Sequence, residues 1–191
     1  MKKTIAILLI LVIGMVGVFA ANNNSTDLKL AATVSGKYGL KIATSGVSGV
    51  TLAEKVSSFT TGLTEVTTQD FDDENLTATL YVNYMTNQKI KAAVTASMYA
   101  LESANTSTPI GYTVTSTYGG SDVTTTVSNE DLERDLSTPK TIKLFEETAE
   151  TNAMRVISQA FKIDIAELDW NAATADEDYT TTWTVDLTVN S

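Results

Sequence analysis

The sequence predicts an all-β fold in which short antiparallel strands form a sandwich or a barrel. Bulky apolar residues alternate with threonine, serine and asparagine over many short runs, a period of two that is typical of strands with one buried face. Turn signals separate the runs, and the chain contains only two prolines. The clearest run extends from Tyr179 to Asn190. A strand so well patterned near a chain end is expected to pair inside a sheet.

The first twenty residues have the organisation of an export signal. Lys2 and Lys3 precede an uncharged apolar run from Thr4 to Phe19. We expect cleavage between Ala20 and Ala21, which leaves residues 21–191 as a single domain in the periplasm, at the cell surface or in the medium, with no membrane segment. The alternative is a retained anchor, but the run is shorter than the roughly 20 residues that a spanning helix needs. The short basic start is typical of a bacterial protein.

The charge balance and the absence of cysteine narrow the possible functions. Removing Lys2 and Lys3 leaves 11 basic against 23 acidic residues, a surface that repels nucleic acid and anionic lipids. The chain has no cysteine, so packing and sheet hydrogen bonds must stabilise the fold without disulfides.

Six further runs of period two are predicted as strands before the last one. In chain order they are Leu28 to Val34, Tyr38 to Ile42, Leu76 to Tyr84, Ile90 to Met98, Tyr112 to Tyr118 and Val123 to Val127. The last two flank Gly119-Gly120-Ser121-Asp122, which indicates a hairpin.

Two segments interrupt this pattern. Ser128 is a plausible N-cap, and acidic residues follow it, so we expect one short helix over Asn129 to Leu136. Ile142 to Ile165 fits both a helical and a strand period. We favour a strand over Ala153 to Ile165, after a loop over Glu146 to Asn152. A helix in this segment is the alternative.

Few residues suit catalysis. The chain has neither histidine nor cysteine, and no serine and lysine stand at a spacing that opens a convincing catalytic helix. A carboxylate pair could still hydrolyse glycosides, because spacing in sequence does not test that arrangement. We therefore expect a protein that is not an enzyme and uses no cofactor, with a carboxylate-dependent hydrolase as a distant alternative.

Acidic loops and tryptophans are the candidate recognition features. Asp70 to Asn75 and Asp176 to Asp178 could supply oxygen ligands to calcium, but neither matches an EF-hand, and we expect solvated turns and no metal. Trp183 stands on the apolar side of the last run and is expected in the core. Trp170 is expected to pack as core or plug, with stacking on a sugar as the alternative.

The order of the segments carries a family resemblance. Asp27 to Ile42 resembles the opening of bacterial chaperone–usher pilin subunits, including the spore coat protein U-like group. Val82 to Ala96 and Ile110 to Thr115 look like the central strands of such subunits. Ala172 to Val185 is similar to their closing turn, tyrosine and threonine-rich final strand.

This resemblance implies an immunoglobulin-like sandwich with a Greek-key arrangement, completed by a strand from a neighbouring subunit. The candidate strand-exchange residues are Leu28, Leu30, Ala32 and Val34. That run is either the donor, with the domain beginning at Tyr38, or an ordinary strand of a self-complete domain. The sequence favours an adhesive or structural surface subunit that self-associates or joins related subunits, with a periplasmic chaperone as a further partner. The alternative is a self-complete binding module for carbohydrate or calcium.

Overall fold

The computed structural model describes residues 24–27, 38–87, 91–105, 108–135, 137–147, 154–175 and 177–190. Nine strands lie in this part of the chain: β1 (Asn24–Asp27), β2 (Tyr38–Ala43), β3 (Thr77–Thr86), β4 (Lys91–Met98), β5 (Tyr112–Tyr118), β6 (Ser121–Val127), β7 (Lys140–Glu146), β8 (Arg155–Asp164) and β9 (Thr184–Asn190). The predicted export signal falls outside the described residues.

The strands form two antiparallel sheets. Sheet A has the order β1-β9-β4-β7, and sheet B has the order β2-β3-β8-β5-β6. Every pair in both sheets is antiparallel. The predicted all-β antiparallel sandwich is therefore confirmed.

The core lies between the sheets and follows the period of two seen in the sequence. In sheet A, Val94 of β4 lies opposite Leu187 of β9, and both are buried. In sheet B, Leu80 of β3 lies opposite the buried Phe161 of β8. Trp183 is only 5% exposed, so its predicted core position is confirmed.

The two sheets come together along one side of the sandwich. The Ser116 hydroxyl of β5 donates to the Leu144 carbonyl of β7, and the Thr125 hydroxyl of β6 donates to the Thr141 carbonyl. These bonds join β7 to the β5-β6 corner of sheet B. The opposite edges of the two sheets are β1 in sheet A and β2 in sheet B.

The predicted hairpin is confirmed as β5 and β6. Tyr118 pairs with Ser121, so the loop consists of Gly119 and Gly120 alone. Both glycines have positive φ, +65° and +80°. A two-residue loop with this backbone is the type I′ turn that matches the twist of the flanking strands.

The short helix predicted over Asn129–Leu136 is wrong for its described part, 129–135. The Ser128 amide and hydroxyl donate to the Asp131 carboxylate at 2.7 and 2.8 Å, and the chain continues in turns. Local side-chain bonds of this kind compete with helix formation, and Asp131 also pairs with Lys140 at 3.2 Å.

Two short helices form elsewhere. Helix α1 (Leu52–Ser57) begins with a capping box between Thr51 and Glu54 and continues into a π-helical turn, Ser58–Gly62. Helix α2 (Glu167–Ala172) follows β8. Both were missed because six residues hold too few apolar positions to establish a period.

The ambiguous segment Ile142 to Ile165 contains strands. The favoured strand over Ala153 to Ile165 is confirmed as β8. Strand β7 precedes it, so Ile142 and Leu144 are buried strand residues of sheet A. Of the predicted loop Glu146 to Asn152, residues 148–152 lie outside the described part.

The insertion between β2 and β3 covers the outer face of sheet B. The Val47 amide donates to both the Asn83 and Ser158 side chains, at 3.1 and 2.7 Å. Phe59 is 3% exposed, and a Cβ added at Gly39 would lie 2.9 Å from its ring. Because Gly39 has no side chain, the Phe59 ring can pack directly against β2.

Candidate functional site

In the described part of the chain, β1 pairs with four residues of β9 at the edge of sheet A. Strand β1 has four residues, whereas β9 has seven. Their register runs from Asn24 opposite Leu187 to Asp27 opposite Thr184. Asp27, the last described residue of this segment, therefore lies level with the first residue of β9.

The segment before β9 is extended and paired on its other side. Thr184 lies opposite Ser97 of β4, and Thr180 forms a bridge with Glu102 through two backbone hydrogen bonds of 2.9 Å. We call residues Tyr179–Trp183 the lead-in. Because these pairs use the side of the lead-in that faces β4, its other side continues the edge of β9 along which β1 lies.

A cavity of about 320 Å³ lies between the sheets beside the lead-in and is partly open to solvent. Leu80, Phe161 and Ile163 of sheet B form its inner wall. The lead-in forms one rim and Val66–Phe71 forms another. The Val66 amide donates to the Ile42 carbonyl, so this second rim continues from the outer edge of β2.

A hydrogen-bonded group of side chains stiffens the lead-in rim. The Trp183 indole Nε1 donates to the Tyr112 hydroxyl at 2.9 Å, and that hydroxyl donates to the Tyr99 carbonyl at 2.6 Å. The Thr181 hydroxyl donates to the same carbonyl. The Trp183 and Tyr112 rings stack with centroids 5.9 Å apart. Burial raises the pKa of Tyr112 well above its usual range, so its phenol remains a donor.

The predicted strand-exchange residues Leu28, Leu30, Ala32 and Val34 lie outside the described residues. The described strand at the N-terminal side is β1, in a stretch whose polar sequence predicts no strand. Asn24 and Thr26 occupy the positions opposite the buried Leu187 and Val185. Leu28 to Val34 continue the same alternation with apolar residues. The cavity also escaped sequence reasoning, although the alternation from Tyr179 onward indicated an inward side for the lead-in.

The first acidic loop, Asp70 to Asn75, contains a turn. Asp72 accepts hydrogen bonds from the Asn75 side chain and from the amides of Glu74 and Asn75, and these bonds lower its pKa. Asp176 lies outside the described residues. Within the described ranges no group of three or more acidic side chains could hold a metal ion.

Trp170 packs against the core as a half-buried plug, in agreement with the prediction for it. Its indole Nε1 donates to Asp73 at 2.6 Å. This bond ties α2 to the acidic turn before β3. The hydrolase alternative requires two facing carboxylates, whereas Asp70 is the sole acidic residue among the described residues that line the cavity.

Comparisons with known proteins assign no relative to this chain: no family model matches it, and neither the curated proteins nor the solved structures contain a significant match. In the described part of the chain, no helix is long and apolar enough to span a membrane.

Proposed function

We propose that this protein is an exported structural subunit of a bacterial surface assembly, in which subunits associate by β-strand donation. The observation that supports the proposal is the position of β1 at the edge of sheet A, next to the partly open cavity beside the lead-in. An exposed edge presents backbone donors and acceptors to an added strand. A groove between sheets accepts its alternate apolar side chains, which is the recurring mode of strand addition.

The apolar run Leu28 to Val34 is the proposed donor. It immediately follows β1 and has the alternation that an edge beside a core requires. Leucine, alanine and valine recur at every second position, with mostly polar or small residues between them. Related subunits with a similar run are compatible partners, and a periplasmic chaperone would protect the edge before assembly.

A self-complete binding module is the second candidate, favoured by the same cavity. Its volume of about 320 Å³ is at the lower end of the range for small-molecule sites, and Phe71, Tyr112 and Trp183 supply aromatic surface. In that case the protein stays a monomer, and a glycan or apolar ligand raises its melting temperature by mass action.

Size measurements separate the two candidates. The full chain is expressed with its own leader, recovered after export, refolded at several concentrations and examined by light scattering and electron microscopy. Strand donation gives concentration-dependent polymers or fibres with a regular axial repeat. A monomer that melts reversibly at every concentration contradicts the proposal. Mass spectrometry of the same material tests cleavage after Ala20.

Charge substitution identifies the donating face. Leu30→Asp places a charge at a position that strand donation buries, and it should abolish polymers because an unpaired buried charge costs several kcal/mol. Lys29→Asp, on the opposite face of the same run, is the matched control and should still polymerise. Polymers formed equally by both variants would exclude this run as the donor, whereas unfolding of Leu30→Asp alone would place Leu30 in its own domain.

A further inference from the structure

We propose that Asn75 is an acceptor site for an N-linked oligosaccharide, which is transferred to the exported chain from a polyprenyl pyrophosphate carrier. This site is independent of strand donation and rests only on the proposed export, because such transfer takes place outside the cytoplasm. In the sequence Asn75-Leu76-Thr77, an asparagine and a threonine stand two positions apart, with a residue other than proline between them. Oligosaccharyltransferases recognise this pattern on exported proteins.

The two recognised side chains lie on one side of an extended segment. The Leu76 carbonyl accepts a hydrogen bond from the Ile165 amide at 2.9 Å, so the segment continues the pairing of β3 with β8. Leu76 packs against the core, whereas Asn75 and Thr77 are exposed. Because side chains alternate across a strand, the acceptor amide and the threonine hydroxyl both face solvent.

The turn before this segment fixes the backbone of the acceptor. The Asn75 amide nitrogen of the backbone donates to the Asp72 carbonyl at 3.0 Å, and the Asn75 Nδ2 donates to the Asp72 carboxylate at 2.9 Å. Both side chains are exposed, so water can replace the second bond when an enzyme engages the side-chain amide. The position of Asn75 is therefore defined, while its Nδ2 remains accessible.

Two other described asparagines begin the same sequence pattern in less favourable places. Asn24 lies in β1, opposite the buried Leu187. The Asn105 Nδ2 donates to Glu177 at 2.8 Å, and the two residues that complete its pattern lie outside the described part. Among the described residues, Asn75 is thus the asparagine for which the structure shows both recognised side chains exposed.

The transfer needs one co-reactant, the carrier-linked oligosaccharide. The Asn75 Nδ2 forms a bond to the anomeric carbon of the sugar, and the bond from that carbon to the phosphate oxygen breaks. The polyprenyl pyrophosphate leaves with the electron pair, and the nitrogen gives up one of its two protons to a base of the transferase. One N–H remains, so the product can still donate to Asp72.

The charge before the acceptor suits an enzyme that holds an anionic carrier. Within the five residues that precede Asn75 there are four acidic side chains, namely Asp70, Asp72, Asp73 and Glu74. A site that binds pyrophosphate is basic, so an acidic acceptor segment is attracted to it. Asp73 also accepts a hydrogen bond from the Trp170 indole at 2.6 Å, which orders the segment.

Mass spectrometry of the exported chain tests the site. The full chain with its own leader is produced in two bacterial hosts. One host contains an oligosaccharyltransferase and an undecaprenyl pyrophosphate oligosaccharide of known mass, and the other lacks the transferase. We expect the oligosaccharide mass on the peptide that contains Asn75 in the first host alone.

Matched variants separate the sequence pattern from the fold. Thr77→Ala keeps Asn75 and should lose the modification, whereas Thr77→Ser should retain it. Asn105→Gln is the control and should leave the occupancy of Asn75 unchanged. Asp73→Asn keeps an oxygen acceptor for the Trp170 indole and should lower the occupancy of Asn75 by removing a charge.

The mass of the N-terminal peptide reports export independently of the glycan. A chain with a cleaved leader and an unmodified Asn75 would overturn the inference and leave the proposed function intact, and so would unchanged occupancy in Thr77→Ala. An unmodified chain that keeps its leader would overturn both the inference and the proposed export.

Discussion

At the scale of single residues, Tyr112 connects the cavity to the core. Its hydroxyl accepts a hydrogen bond from the Trp183 indole and donates one to the Tyr99 carbonyl. Tyr112 comes from sheet B, whereas Trp183 leads into a strand of sheet A. One phenol therefore fixes the height of the lead-in relative to the other sheet, and with it the rim of the cavity.

Replacing Tyr112 by phenylalanine should destabilise the fold by about 1–3 kcal/mol, because the buried Trp183 indole loses its acceptor while the ring stack is kept. Urea unfolding measures this loss. Tyr118→Phe is the control, since Tyr118 is half-exposed and its ring lies 5.9 Å from the Lys143 ammonium, a contact that phenylalanine preserves. Equal midpoints for the two variants would contradict the role assigned to the Tyr112 hydroxyl.

Tyr112→Phe should also change the pH dependence of the free energy of unfolding in alkaline solution. Burial raises the pKa of folded Tyr112 above the value of 10.0 expected for an unfolded tyrosine. Above pH 10 the unfolded state therefore loses this proton first, and the free energy of unfolding falls as pH rises. Tyr112→Phe lacks this contribution, so the difference in stability between the two proteins should shrink between pH 9 and 11. A stability difference that stays constant over this pH range would contradict the raised pKa of Tyr112.

At the scale of elements, the β5-β6 hairpin depends on two glycine conformations. Gly119 and Gly120 have positive φ, and a Cβ at either position would meet no atom within 4 Å. The cost of substitution is therefore a backbone cost. Gly120→Val should destabilise the protein by about 1–2 kcal/mol, whereas Gly120→Asn should cost little, since asparagine tolerates this region. Thermal melting measures the loss of stability in both variants. Equal losses in Gly120→Val and Gly120→Asn would contradict the role assigned to the positive φ of Gly120.

The strands could be predicted from the sequence wherever burial on one face imposes a period of two, as in β3, β4, β5 and β9. The elements that escaped prediction have other causes. Asn24–Asp27 becomes a strand because β9 offers an edge, and its own residues carry no pattern. Ser128 is a residue type that often caps helices, but its hydroxyl donates a hydrogen bond to the Asp131 carboxylate. The cavity depends on several segments far apart in sequence, between Val66 and Trp183, and no local pattern encodes their meeting.

At the scale of the whole molecule, two hydrogen bonds between the sheets lie along one side of the sandwich, at β5, β6 and β7. Strand β7 is bound to β5 and β6 through Ser116 and Thr125, whereas β1 and β2 occupy the opposite edges. Residues 28–37 connect β1 to β2 in the sequence and contain the proposed donor run. If the run Leu28 to Val34 is the donor, the length of this connection limits how far the run can reach along the lead-in of its own chain.

Lengthening this connection should convert an assembling subunit into a monomer. Inserting eight glycine and serine residues between Gly36 and Lys37 raises the steps from Ala32 to Tyr38 from six to fourteen, a reach of about 46 Å. That exceeds the distance to the far end of the lead-in, because Tyr179 lies about ten strand positions, roughly 33 Å, from the level of Tyr38. Closure within one chain is then favoured over association at micromolar concentration, because a short tether gives an effective concentration near millimolar.

Light scattering should show the insertion variant as a monomer at concentrations where the unaltered chain polymerises, and its thermal stability should be equal or higher. The control is the same eight-residue insertion between Gly119 and Gly120, which lengthens an exposed turn and leaves the connection unchanged. That variant should still polymerise. The contradicting outcome is that the variant with the insertion between Gly36 and Lys37 polymerises as readily as the control. In that case the length of the connection would not determine assembly, and the donor would have to be another segment of the chain.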